Sequence, residues 1–258
     1  KTHASSLDER GETEVCVSGS SFRSASLLQI ARSRAPTKAI LMELPHDENV
    51  NQCDGSKPLP PYLDLAVRGS LIEGVDTIID IGGNIGGDIE MFLYRHPDVK
   101  VFTYEPIPEL LKVLHRRFSL GKQVNISGVG VSDGNRDAQF TVTEDMVGTT
   151  GVDHTEKGRR VQVHLRDVDA IMTEVQELGH ANPVLSINCE GCEYAVMQRL
   201  IQRGWLGKVP FLQLSWHNAT DITDRHARRC KIEQALWAAH YHRTYYAAFG
   251  WVGWKLGP

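Results

Sequence analysis

The chain has 258 residues, 41% of them hydrophobic and 23% charged, with a formal net charge of -4 at pH 7. That is enough apolar material for a sizeable core in a single domain, and the charge balance excludes a protein drawn to nucleic acid by overall electrostatics. No apolar run approaches the roughly 18 residues of a membrane-spanning helix, so no membrane span is expected within the chain.

The first residue is Lys1 rather than methionine, so an upstream segment is expected to have been removed, and a signal or anchor could have been lost with it. Localisation stays open between the Golgi or secretory lumen and the cytoplasm. Five cysteines, Cys16, Cys53, Cys189, Cys192 and Cys230, leave at least one without an intrachain partner. Cys16 and Cys53 are both near the N-terminus and could pair in an oxidising compartment, where the sequons at Asn125 and Asn218 would also matter. The basic residues Lys157, Arg159 and Arg160 read as solvated surface.

Residues 1–60 read as an N-terminal extension, partly helical, with short apolar stretches at 27–30 and 39–44. The breaker cluster "DGSKPLPPY" marks the boundary of the core domain, residues 61–258, which Leu63, Leu65, Ala66 and Leu71 are expected to enter as a helix. Strands are predicted at 75–81, 99–105 and 124–131. They alternate with helices carrying Ile89, Phe92 and Leu93, then Leu110, Leu111, Leu114 and Phe118. Two shorter strands, 138–142 and 160–164, flank a polar stretch and are expected to form an insertion, about 138–164, over the C-terminal edge of the sheet.

Asp167 is placed to cap a helix with Val168, Ile171, Met172, Val175 and Leu178 on one face, and "PVLSINCEG" follows as a fourth core strand. Tyr194, Met197, Leu200 and Ile201 mark a further helix stopped by Gly204. "VPFLQLSWHN" is a fifth strand, Ile232, Leu236 and Ala239 sit on a helix, and "YHRTYYAAFG" with "WVGWKL" forms a terminal hairpin. The fold class is therefore α/β and Rossmann-like: a mostly parallel sheet, an antiparallel C-terminal strand pair, and helices on both faces.

The stretch "IIDIGGNIGG" sets a glycine turn between a buried strand and a helix. A dinucleotide turn would carry a second glycine where Asn84 stands, and Asp80 would repel a diphosphate, which disfavours a dehydrogenase. The pattern of Asp80, Gly82, Asn84 and Gly86, with Gly83 inside it, suits S-adenosylmethionine. The glycines permit close backbone approach, and Asp80 offers a negative charge to a cationic amino-acid group. Glu105, at the tip of the next strand, can accept both ribose hydroxyls.

"IDIGGNIG", "FTYEPIPELLKVL", "GVGVSDGNRDAQFTV" and "SINCEGCEYAVM" resemble, in order and spacing, the FkbM family of S-adenosylmethionine-dependent methyltransferases over roughly residues 75–216. The resemblance implies a class I methyltransferase sheet, transfer to a hydroxyl oxygen of a sugar or other acceptor, and cofactor contacts that include Pro106 beside Glu105. One segment departs from the family's K-x-D-x-E-G-x-E: Ser186 and Asn188 replace its lysine and aspartate, while Glu190 keeps its acid. Asn188 can still orient a hydroxyl or the cofactor through its amide.

Ser132 and Asp133 follow the third strand, where Asp133 could accept from the adenine amine or simply belong to a turn. Cys189 and Cys192 have the C-x-x-C spacing of a redox pair or half a zinc site, but no second such pair completes four ligands and the cysteines replace small apolar positions of the resembled pattern, so neither metal nor redox chemistry is expected. His217, ending the fifth strand, is placed as the general base that takes the acceptor proton. His154, a carboxylate such as Glu190, or no dedicated base are the alternatives. A small-molecule or glycan acceptor is expected and nucleic acid is not. A non-catalytic S-adenosylmethionine-binding module is the rival reading.

Overall fold

The computed structural model describes residue 53, the backbone of 62–63, and residues 72, 74–119, 121–142, 158–180, 182–217, 224–247 and 250–258. The expectations for Cys16, the N-terminal helices, His154, Lys157 and Asn218 fall outside these residues.

The strands are β1 (Tyr62–Leu63), β2 (Thr77–Ile81), β3 (Lys100–Tyr104), β4 (Val124–Ser127), β5 (Gly130–Ser132), β6 (Arg136–Val142), β7 (Arg159–Asp167), β8 (Pro183–Ile187), β9 (Phe211–Ser215), β10 (Tyr241–Ala247) and β11 (Trp251–Leu256). The helices are α1 (Gly87–Arg95), α2 (Pro108–Phe118), α3 (Val168–Glu177), α4 (Cys192–Gln202) and α5 (Arg225–Ala238). Eight strands form one sheet in the order β1-β10-β11-β9-β8-β2-β3-β4. The run from β9 to β4 is parallel, and β11 lies antiparallel to both β9 and β10. This is the Rossmann-like α/β arrangement expected from the sequence, a mostly parallel sheet with an antiparallel C-terminal strand pair.

The central strands show why. Every residue of β2, β8 and β9 is buried, as required of strands covered on both faces, and their apolar side chains divide between two core clusters. Ile79, Ile81, Leu185 and Leu214 pack with residues of α3, α4 and α5, whereas Ile78, Val101 and Val184 pack with Ile89 and Phe92 of α1 and Leu114 of α2. Local signals place the helices. Pro108 opens α2, and His115, Arg116 and Arg117 in its last turn complement the helix dipole. Asp167 caps α3 as expected, accepting the Asp169 backbone N–H at 2.9 Å.

The structure corrects three expectations. Residues 124–131 are not one strand: β4 stays in the main sheet while β5 pairs with β7 in a separate three-stranded sheet, β5-β7-β6. Glu105 N–H makes the last β3–β4 bond, to the Ser127 carbonyl, and Pro106 has no N–H with which to continue the ladder. The small sheet packs Val142, Val161, Val163 and Leu165 on Ile107 and Leu110, so the two insertion strands are anchored beside the tip of β3. Leu63 lies in a strand paired with β10 rather than in a helix. Finally, Cys53 pairs with Cys230 of α5, 177 residues away, and not with Cys16. Among the described residues no helix is long and apolar enough to cross a membrane.

Candidate active site

The C-terminal ends of β2, β3 and β8 converge, as the crevice of an open parallel sheet requires. Asp80 is only 1% exposed, and its Oδ2 accepts the Thr103 hydroxyl at 2.9 Å. Immediately after it the chain turns tightly, with both Gly82 and Gly83 N–H groups donating to the Tyr104 carbonyl. Gly82 has φ 92°, and a Cβ there would lie 1.9 Å from the Asn188 carbonyl oxygen. Only glycine lets the β2 turn and the β8 loop come this close. Asn188 closes the same contact by donating its N–H to the Ile81 carbonyl at 2.8 Å. Asn84 is left-handed at φ 47°, a conformation that asparagine tolerates better than most residues, and Gly86 at φ 86° starts α1.

Glu105 is 4% exposed and held from two sides. Its Oε2 accepts the Asn84 N–H and its Oε1 the Ile107 N–H, each at 2.8 Å. Burial pushes its carboxyl above the ordinary range, and the two N–H bonds work in the opposite direction. Each oxygen keeps acceptor capacity beyond the one backbone bond, so the carboxylate is both fixed and able to receive two hydroxyls. Half-buried Pro106 follows it.

Ser132 and Asp133 stand at the end of β5, but both are engaged by Arg136. Its guanidinium donates to Asp133 Oδ1 and to Ser132 Oγ, each at 2.7 Å. The Arg136 hydrogen bond holds the Asp133 carboxyl below its ordinary range. Asp133 therefore keeps its charge, but a ligand amine would share it with a guanidinium.

On the far side of β8, three residues form a clamp. Glu193, fully buried at the start of α4, accepts the His217 backbone N–H at 2.7 Å and the Gly191 N–H at 2.9 Å, and its Oε1 lies 3.2 Å from His217 Nδ1. The other ring nitrogen, Nε2, is 3.4 Å from Glu190 Oε1. The Tyr194 hydroxyl donates to the His217 carbonyl at 3.0 Å. Burial acts to lower the His217 pKa, but the two carboxylates together outweigh it and push the imidazole up to about 10. At neutral pH His217 is an imidazolium between two acids.

The structure thus brings Asp80, Gly82, Gly83, Asn84, Glu105 and Asn188 to one edge, joins Glu190 to His217, and ties Ser132 and Asp133 to Arg136. The sequence reading missed Thr103, Arg136 and Glu193. Of these, Glu193 had a signal, being the last acid of the motif segment. Cys189 and Cys192 form a disulfide with Cα atoms 5.4 Å apart. Among the described residues, Cys53, His226 and Cys230 form a Cys/His cluster whose two sulfurs are already bonded to each other.

No protein-family model matches the chain, and no curated protein matches it. Solved structures resemble it distantly. A putative caffeoyl-CoA O-methyltransferase from Staphylococcus aureus has 11% identity over 74% of this chain and 80% of that one, with a TM-score of 0.42. Fibrillarin from Aeropyrum pernix, in complex with natively bound S-adenosyl-L-methionine, has 9% identity over 74% and 76%, with a TM-score of 0.41. The O-methyltransferase NcsB1 from neocarzinostatin biosynthesis, in complex with S-adenosyl-L-homocysteine, has 13% identity over 71% and 50%, with a TM-score of 0.35. These are likenesses of fold, and the functional argument rests on the residues.

Proposed function

We propose that the chain is an S-adenosylmethionine-dependent O-methyltransferase of the FkbM type, acting on a hydroxyl of a sugar or glycan. The observation that carries the cofactor reading is Glu105, a buried carboxylate set by the Asn84 and Ile107 N–H groups beside a glycine turn. The site fits the cofactor. Glu105 would take the ribose hydroxyls, the Gly82–Gly83 backbone would face the amino-acid moiety, and Asp80 would hold its ammonium. S-adenosylmethionine supplies an electrophilic methyl group whose bond to sulfur breaks as the acceptor oxygen attacks. The acceptor class rests on the resemblance of the four motif segments.

The clamp supports a division of labour on the acceptor side. An imidazolium has no lone pair with which to accept a proton, so the proposal gives the acceptor proton to the Glu190 carboxylate. Half-buried His217 serves to position it, and Asn188 orients the hydroxyl. Glu193 fixes the imidazolium from behind. An acceptor-library screen that includes glycans, read by release of S-adenosylhomocysteine, tests the reading. Turnover with a hydroxyl acceptor is expected, and it should fall about 10²- to 10⁴-fold in Glu190→Gln with cofactor affinity unchanged. Cofactor binding with no turnover on any acceptor class would favour the non-catalytic module.

A further inference from the structure

We propose that Cys189 and Cys192 form a redox-active dithiol–disulfide site that sets the position of Glu190, so that the acceptor side is assembled only in the oxidised state. The inference rests on the assignment of Glu190 and His217 to the acceptor side.

The crosslink encloses two residues, Glu190 and Gly191, and both are left-handed, at φ 55° and φ 112°. Glycine tolerates that conformation at no steric cost; glutamate does not, and it persists only where its surroundings hold it. The disulfide is such a constraint, because it ties the residue before Glu190 to the first residue of α4. The Glu190 carboxylate reaches His217 Nε2 from this strained position, at 3.4 Å. With the sulfurs separated, the loop retains the Gly191 N–H bond to Glu193 and a long 3.5 Å bond from the Cys192 N–H to the Cys189 carbonyl, a weaker hold on Glu190 than the covalent bridge.

The surroundings also distinguish the two sulfurs. Both cysteines are half-buried, so a small reductant can reach the bond. Cys192 is the first residue of α4, where the helix N-terminus stabilises a thiolate. Cys189 Sγ lies 3.6 Å from Glu193 Oε2, a carboxylate that disfavours a thiolate and can accept an S–H. A thiolate of a small dithiol therefore attacks Cys189 Sγ, the bond to Cys192 breaks, and Cys192 leaves as the thiolate. The second thiol of the reductant then displaces Cys189 from the mixed disulfide, and Cys189 takes a proton. Two electrons pass to the cysteine pair, and the dithiol ends as a disulfide. The new Cys189 S–H then competes with the Gly191 N–H for Glu193 Oε2 and loosens the clamp from its other end.

The test is a graded dithiothreitol titration of the full chain with alkylation and peptide mapping, which separates Cys189 and Cys192 from Cys53 and Cys230. The His217 imidazole is followed by NMR and methyl transfer by S-adenosylhomocysteine release. The expected result is reduction of Cys189–Cys192 at about tenfold less dithiothreitol than Cys53–Cys230. The imidazole pKa should fall by about one or more as the pair opens, and turnover should drop about tenfold and recover on reoxidation. A Cys189→Ser, Cys192→Ser double variant should show the reduced behaviour at every dithiothreitol concentration. If it does not fold, the wild-type titration still decides. Full alkylation of both cysteines with an unmoved His217 titration would overturn the proposal, as would alkylation of aerobically purified protein without prior reduction. The thiol and NMR readouts need no acceptor, whereas failure to bind S-adenosylhomocysteine would count against the methyltransferase reading alone.

Discussion

Replacing Glu193 by glutamine keeps the shape of the clamp and removes one charge. In the native chain His217 rises from an ordinary 6.5 to about 10 although burial opposes the change, a rise of about 3.5 in pKa, worth on the order of 5 kcal/mol. The imidazole is 21% exposed, so solvent screening reduces that figure only partly. Two carboxylates share the effect from 3.2 and 3.4 Å, and removal of one should lower the pKa by about 2, or roughly 2.7 kcal/mol. The glutamine NH2 must also face one of the two backbone donors, His217 N–H or Gly191 N–H, which costs about 1–3 kcal/mol more. The expected loss is about 4 kcal/mol at pH 6–8, comparable to breaking a buried ion pair. The sign of the pH dependence follows from the raised pKa. The wild-type stabilisation is fully present below pH 6.5 and is lost as pH rises through about 10, so the gap between wild type and Glu193→Gln should narrow from pH 8 to 10.5. Urea unfolding at pH 6, 8 and 10.5 measures the gap, and NMR titration of His217 measures its origin. A wild-type imidazole that titrates near 6.5, or a gap that stays constant with pH, would refute the clamp.

Glu105→Ala should weaken S-adenosylhomocysteine binding by about 10- to 100-fold in calorimetry, since it removes charge-assisted bonds worth about 1.5–3 kcal/mol. Because burial raises the Glu105 carboxyl, wild-type affinity should begin to fall at a pH above that of an ordinary glutamate, as the protonated form loses acceptor capacity. Wild-type affinity that is flat with pH down to about 4.5 would contradict this. Chelator-treated enzyme should keep its turnover, because Asn188 stands where the resembled pattern has aspartate; recovery only with magnesium would show a metal site that this reading lacks. Asp167→Ala should cost about 2–4 kcal/mol in denaturant unfolding, since Asp167 caps α3 and also accepts from both Arg199 Nε and Nη2 of α4, at 3.1 and 2.5 Å. A loss below about 0.5 kcal/mol would mean that the pair is a solvated surface bridge.

The main sheet was legible because its central strands are buried on both faces, which leaves uninterrupted runs such as "TIIDI" and "PVLSI" between turn signals. The glycine turn and Glu105 were legible because both lie at the boundary of a strand, where local chemistry is informative. What escaped was set by distant parts of the chain. The break between β4 and β5 depends on β7 offering Leu165–Asp167 as an alternative partner. The Cys53–Cys230 pairing spans 177 residues and leaves no local trace. Glu193 looks like an ordinary first-turn acid of a helix, and Thr103 like an ordinary strand residue. Their burial against His217 and Asp80 exists only once the strands are side by side.

The departure at Ser186 can be understood from the row in which it lies. Thr103, Asp80, Ser186, Gln213, Gly253 and Tyr245 are register partners across six strands, on the face covered by α1 and α2. All but the glycine are polar and buried. Tyr245 OH donates to Gln213 Oε1 at 2.8 Å, Gln213 Nε2 donates to Ser186 Oγ at 2.9 Å, and Thr103 donates to Asp80 from the opposite side. Gly253 leaves room for the Tyr245 ring, which a Cβ would meet at 2.1 Å. A lysine at residue 186 would need this volume and would bring a cation next to Asp80. Here the space is filled by a neutral, hydrogen-bonded chain, satisfied as a buried network must be. The row then contributes no positive charge from residue 186, so the role proposed for Asp80 toward the cofactor's ammonium has no lysine at that position to compete with.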